Sequence, residues 1–151
     1  MLAPTGIRLR LLRETAMELL PVRLPPGADL RLALETLLRQ HGSSAAYVLQ
    51  GIGSLSVAQL RLAGRPGPSE LRGDLEILTL AGSLSPDGAH LHMSVSDADG
   101  RVIGGHACVG CTVRTTAEIL VALLPQHRFR RTLDDETGFP ELSIARVHTQ
   151  D

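Results

Sequence analysis

Residues 90–107 read His-Leu-His-Met-Ser-Val-Ser-Asp-Ala-Asp-Gly-Arg-Val-Ile-Gly-Gly-His-Ala. The first seven alternate strictly. His90, His92, Ser94 and Ser96 share one face of an extended strand, and Leu91, Met93 and Val95 take the other, the face that belongs against a core. Asp97-Ala98-Asp99-Gly100 then supplies a turn, with Gly100 suited to the left-handed position of a three-residue hairpin loop. That loop sets the register. Asp97 faces Arg101, His92 faces His106, and His90 faces Cys108. Opposed side chains in such a pair have Cβ atoms about 5 Å apart and diagonal ones about 7–8 Å. Three imidazoles are thereby brought within reach of one ion. Zinc takes histidine nitrogens at about 2.0–2.1 Å and leaves a fourth position open in a three-ligand site. His-x-His on a strand is also ordinary polar surface. The pair Gly104-Gly105 reads either as a bulge or packing contact, or as clearance for a ligand or neighbouring subunit.

Outward from this hairpin the chain reads as many short strands and one clear helix. Residues 18–24 form a first strand, with Pro21 suiting an edge. After Pro25-Pro26-Gly27, Asp29 caps a helix over 30–40, whose apolar residues Leu30, Ala33, Leu34, Leu37 and Leu38 fall at helical spacing; Gly42 stops it. Residues 45–52 are a buried strand that Gly51-Ile52-Gly53-Ser54 breaks, and a strand resumes over 55–62. Further strands are expected at 75–83, 112–122 and 141–147, with 126–138 polar and irregular. The pattern predicts an α+β fold, a mostly antiparallel sheet with few helices. The domain spans 17–147, after a variable leader at 1–16 and before a tail at 148–151.

Composition narrows the function. Tyr occurs once, Phe twice and Trp not at all in 151 residues, so base stacking on aromatic platforms is disfavoured. The net charge is −1, whereas DNA-binding domains usually carry a basic surplus. No apolar run spans a membrane and no signal-peptide core is present, so the expectation is a soluble cytoplasmic protein. Cys108 and Cys111 form a single CxxC, read as one half-buried thiol and one turn thiol rather than a redox or zinc motif.

Other polar residues were weighed beside the histidines. Glu76, in the 75–83 strand, is a candidate carboxylate for orienting a histidine or acting as a base, or else a solvent-facing strand residue. Thr116 and Glu118 offer polar groups to a pocket or interface, or simply face water. Arg128, Arg130 and Arg131 flank Phe129 and offer contacts to phosphate, but Asp134, Asp135 and Glu136 follow at once, so a solvated charged loop is the better reading.

The ordered motifs Leu24-Pro25-Pro26-Gly27-Ala28-Asp29-Leu30, Gly51-Ile52-Gly53-Ser54-Leu55, residues 75–83, His90-Leu91-His92, Gly104-Gly105-His106 and residues 110–118 resemble the plant- and prokaryote-conserved (PPC) domain family over about 17–147. The resemblance implies a trimer-forming α+β domain and a divalent metal, most often zinc, on His90, His92 and His106. Catalytic residues stay unknown. The family carries a DNA-binding label, and its plant members add AT-hooks built on Arg-Gly-Arg-Pro. Only Ala63-Gly64-Arg65-Pro66 stands here, read as a turn, so DNA is a weakly supported partner. Ala107 follows His106 where many relatives carry Leu. The function implied is a metal-binding, homotrimeric binding or regulatory module; the alternative is a zinc-dependent enzyme using the open position.

Overall fold

The computed structural model describes residues 17–147, so the leader at 1–16 and the tail at 148–151 lie outside the described residues. Within them the order is β1 (Glu18–Leu24), α1 (Leu30–Gln40), β2 (Ala46–Arg61), β3 (Ser69–Ser85), β4 (Gly88–Ser96), β5 (Val102–Ala107), β6 (Thr112–Leu123), β7 (His127–Leu133) and β8 (Pro140–Arg146). The antiparallel main sheet runs β1-β6-β2-β3-β4-β5, and β7 pairs with β8 in a separate two-stranded sheet. The α+β expectation holds, and Pro21 does sit on an edge strand, where its missing N–H costs no ladder bond. No helix among the described residues is long and apolar enough to cross a membrane.

The core follows from the two periodicities. Leu91, Met93 and Val95 of β4 are buried together with Leu80 and Leu84 of β3 and Leu55 and Leu60 of β2. Helix α1 lays its i, i+4, i+8 stripe of Leu30, Leu34 and Leu38 on the same core. Asp29 caps it, with Oδ1 accepting from Leu32 N at 3.0 Å, while Oδ2 accepts from Gly110 N at 2.6 Å. One carboxylate thus starts the helix and pins it to the turn between β5 and β6. At the other end Gly42 N donates to Arg39 O and Ser43 N to Leu38 O, the paired bonds of a Schellman stop.

Two expectations are corrected. The glycine run at 51–53 does not break a strand; β2 runs unbroken from Ala46 to Arg61 with local register shifts against β6. The reason lies in the neighbouring strand. Gly53 has φ +140°, and a Cβ there would stand 2.3 Å from Thr116 O, so the glycine seats β6 against β2 rather than ending the ladder. The segment expected to be irregular at 126–138 contains strand β7. Its only buried side chain, Phe129, meets Tyr47 edge to face at 5.4 Å between ring centroids. The hairpin is fastened through backbone as well: Phe129 N donates to Ser44 O and Arg131 N to Asp87 Oδ2.

β2 is long enough to serve two neighbours on one side. Beyond its pairing with β3 and β6, its end meets β5, with Leu60 opposite Ala107 and Arg61 opposite His106. Strands β2, β3, β4 and β5 therefore close on themselves at one corner. β3 approaches β4 tightly: Gly82 has φ +151°, and a Cβ on it would lie 1.9 Å from His90 O. Gly82→Ala is expected to destabilise the protein by about 2 kcal/mol or more, since both the backbone strain and the clash with a ladder carbonyl oppose it. A urea-denaturation midpoint equal to wild type would contradict that close approach.

Candidate metal centre

The three histidines meet at the closed corner. His92 on β4 lies directly opposite His106 on β5, the register that the 97–101 turn imposes. Within that turn Asp97 N donates to Arg101 O, Gly100 N donates to Asp97 O, and Gly100 has φ +78°. His90 lies two residues back along β4 on the same face. His90 Nε2 and His92 Nε2 stand 3.2 Å apart, and the three rings have centroid separations of 5.0, 5.1 and 5.8 Å. One ligating nitrogen from each ring can be chosen so that all lie within 4.8 Å of one another, a set that could hold a metal ion.

The expected pairing of His90 with Cys108 does not form. β5 ends at Ala107, and Cys108 N donates to Gln59 O at 2.9 Å, because β2 takes over the end of β5. Both cysteines are free thiols. Cys111 is fully buried, its Sγ in contact with the backbone N and O of Gln59, and burial pushes its pKa up. That suits a packing role rather than a reactive one.

The surroundings of His90 and His106 favour their neutral forms. His106 is pushed down to about 4, chiefly by burial and then by His90, Arg31, Arg61 and His92. His90 is lowered by burial, then by Arg131 and His92, with Glu141 pulling the other way. From α1, Arg31 Nη1 stands 3.3 Å from His106 Nε2 and donates to Ala107 O, while its Nε is fixed by Glu35 Oε1 at 3.0 Å. A guanidinium only donates, so the nitrogen it addresses is unprotonated. His106 Nδ1 is buried with no hydrogen-bond partner among the described residues. A lone pair on His106 Nε2, with ligating nitrogens of the three rings within 4.8 Å of one another, fits a metal ion.

The remaining candidates fall elsewhere. Glu76 is exposed on β3 opposite Ser54 and Ser96, five residues along the strand from Ala81, the partner of His92. Glu118 is exposed on β6, and Thr116 Oγ1 accepts from Arg23 on β1. The arginine cluster is not a loose loop. Arg131 Nη2 donates to Ser83 Oγ at 2.8 Å and Arg130 pairs with Asp87, because strand β7 is docked beside β3 and the β3–β4 turn. Arg31 and Arg61, which lie beside the histidines, were missed, and Arg131 was read only as part of a charged cluster. An i, i+4 Arg31–Glu35 pair was visible in the sequence, but nothing there aims it at His106.

Residues 12–125 match the Plants and Prokaryotes Conserved (PCC) domain. The chain belongs to this family. A Synechococcus protein called bifunctional protein GlmU is 50% identical over 132 residues, covering 87% of this chain and 21% of that protein. The chain thus spans about a fifth of the length of the curated relatives it matches. Among solved structures, a hypothetical protein from Salmonella enterica is 37% identical, with a TM-score of 0.84 and coverage of 87% of this chain and 95% of that one. A metal-containing protein from Archaeoglobus fulgidus is 28% identical, with a TM-score of 0.71 and coverage of 82% and 91%. A candidate DNA-binding protein from Ralstonia eutropha is 29% identical, with a TM-score of 0.65 and coverage of 83% and 89%.

Burial of His106 makes the metal-free PCC domain acid-sensitive. His106 titrates near 4 in the fold and near 6.5 in the unfolded chain, so between these values the unfolded chain binds the extra proton. Stability is complete above about pH 6.5 and falls as pH drops toward 4. Urea denaturation of chelator-treated protein should show a lower midpoint at pH 5 than at pH 7, a window above the ordinary carboxylate range. His106→Gln should flatten that difference; equal wild-type midpoints would contradict the burial argument.

Proposed function

We propose that this PCC domain is a cytoplasmic metal-binding module in which His90, His92 and His106 hold one divalent ion, and that it works as a homotrimeric binding or regulatory unit. The carrying observation is the convergence of three ligating nitrogens within 4.8 Å on one strand face. Zinc is the ion favoured, because an all-imidazole set with no fixed geometric demand suits it. The metal-containing relative from Archaeoglobus fulgidus supports the reading. A bound ion would supply a Lewis-acidic centre. The enzyme alternative needs a base beside it. Glu76, proposed for that part or for orienting a ring, is exposed on β3, while Glu141 is the carboxylate whose charge His90 feels. A binding module needs neither.

The trimer is supported by an apolar groove on the outer face of β1, β2 and β6. Pro21, Ile52 and Leu120 line it beside Arg23, Gln50 and Glu118, and Ile52 and Leu19 of β1 are about half exposed. Such a face is costly to leave in water and suits a subunit contact. DNA is the less favoured partner. The Ralstonia relative is a candidate DNA binder, but the net charge here is −1 and Arg65 sits in a turn closed by Arg65 N to Leu62 O. Any duplex binding is therefore weak, salt-sensitive and non-specific.

Elemental analysis and titration should give one zinc per chain, lost in a variant with all three histidines changed to Ala; undiminished binding by that variant would refute the assignment. Sedimentation at micromolar concentration should give three times the chain mass of 16.1 kDa, and a stable monomer would refute the trimer. Duplex titration at about 150 mM salt should give dissociation constants no tighter than about 10⁻⁶ M; sequence-selective binding near 10⁻⁸ M would reverse the preference against DNA.

A further inference from the structure

Beside His90 and His106 lies a cavity of about 470 Å³, walled by Arg31 of α1, Arg61 of β2, and Arg131 and Glu141 of the β7–β8 hairpin. Three guanidiniums from three separate elements face one space. Two charges at this wall are already matched. Arg31 is paired with Glu35, and Asp87 is occupied by Arg130 and by the backbone N–H of Arg131. Glu141 accepts from Thr137 Oγ1 at 3.2 Å. Arg131 spends one Nη on the neutral hydroxyl of Ser83, and the Arg61 guanidinium makes no hydrogen bond or ion pair among the described residues. Arg61 is also the residue paired with His106 across β2 and β5, so its place at the cavity follows from the sheet register.

The histidines add to this imbalance. Three imidazoles are neutral donors, so an ion they held would keep its full double charge at the cavity, with no carboxylate among its protein ligands. Arg61 and Arg131 face that charge with one carboxylate, Glu141, among them. Like charges gathered this way are unfavourable until an anion enters, and guanidiniums present paired N–H groups that match carboxylate or phosphate oxygens. The volume suits a small molecule and not a macromolecular chain.

We propose that this cavity binds a small oxyanion-bearing molecule, a carboxylate or a phosphate, with its oxygens shared between the guanidiniums of Arg61 and Arg131 and the ion on the histidines. The proposal deepens the metal reading, yet its arginine half stands without the ion.

Isothermal titration of orthophosphate and of malonate, with chloride as the control, into zinc-loaded and chelator-treated protein tests it. At least one oxyanion should bind the zinc-loaded protein with a dissociation constant below about 1 mM, and the tighter of the two names the class. Arg61→Gln should weaken that binding at least about tenfold, while Arg61→Lys, which keeps the charge and loses the fork, should fall between. Zinc stoichiometry should stay at the wild-type value in both variants, and each should keep a cooperative thermal transition, since Arg61 is exposed and is not one of the three ligands. No oxyanion heat in wild type, or equal affinity in Arg61→Gln, overturns the proposal. Arg61-dependent binding by a protein that takes up no zinc would sink the metal reading and keep the anion site. Zinc uptake without oxyanion binding would do the reverse.

Discussion

The structure turns on a shared strand. β5 is only six residues long, yet it is held on one edge by β4 and at its end by β2. His106 occupies the point where both pairings meet, opposite His92 on one side and Arg61 on the other. Ladder bonds from two directions leave this residue little backbone freedom, so its ring is placed by the sheet and not by a mobile loop. Remove the second pairing and β5 is a six-residue edge strand held by β4 alone. With it, a corner closes and side chains from α1, β2 and β7 are drawn to the same spot.

Much of this was legible because the signals are local. Strict alternation in 90–96 placed Leu91, Met93 and Val95 in the core, and the Asp97–Gly100 turn set His92 opposite His106. The helix carried its own cap and stop. What escaped reading depended on distant partners. Gly51 and Gly53 look like breakers until β6 is seen to pass within a Cβ's reach of Gly53. β7 has a single buried apolar side chain, too little periodicity to stand out among arginines. Arg31 and Arg61 are unremarkable in sequence and Arg131 reads as part of a charged cluster; tertiary packing alone brings the three to the histidines. The register also failed at its far end, where Cys108 left β4 for β2, because a hairpin argument sees two strands and this corner has three.

The electrostatic arrangement has a consistent sense. Burial, and guanidiniums with it, lower the pKa of His90 and His106, so protons compete poorly for their lone pairs. The same guanidiniums, Arg31, Arg61 and Arg131, line the cavity. One set of positive groups therefore acts both on the rings and on the space next to them. The matched pairs, Arg31 with Glu35 and Arg130 with Asp87, hold the surrounding elements in place without consuming Arg61.

The β7–β8 hairpin lies beyond residue 125, where the family match ends, and it forms a sheet of its own fastened by Phe129, Ser44 and Asp87. The histidines and Arg61 lie within the matched residues, whereas Arg131 and Glu141 lie in this hairpin. One wall of the cavity is therefore built by a segment that carries none of the rings, and a substitution there alters the wall while every strand that places a histidine stays as it is.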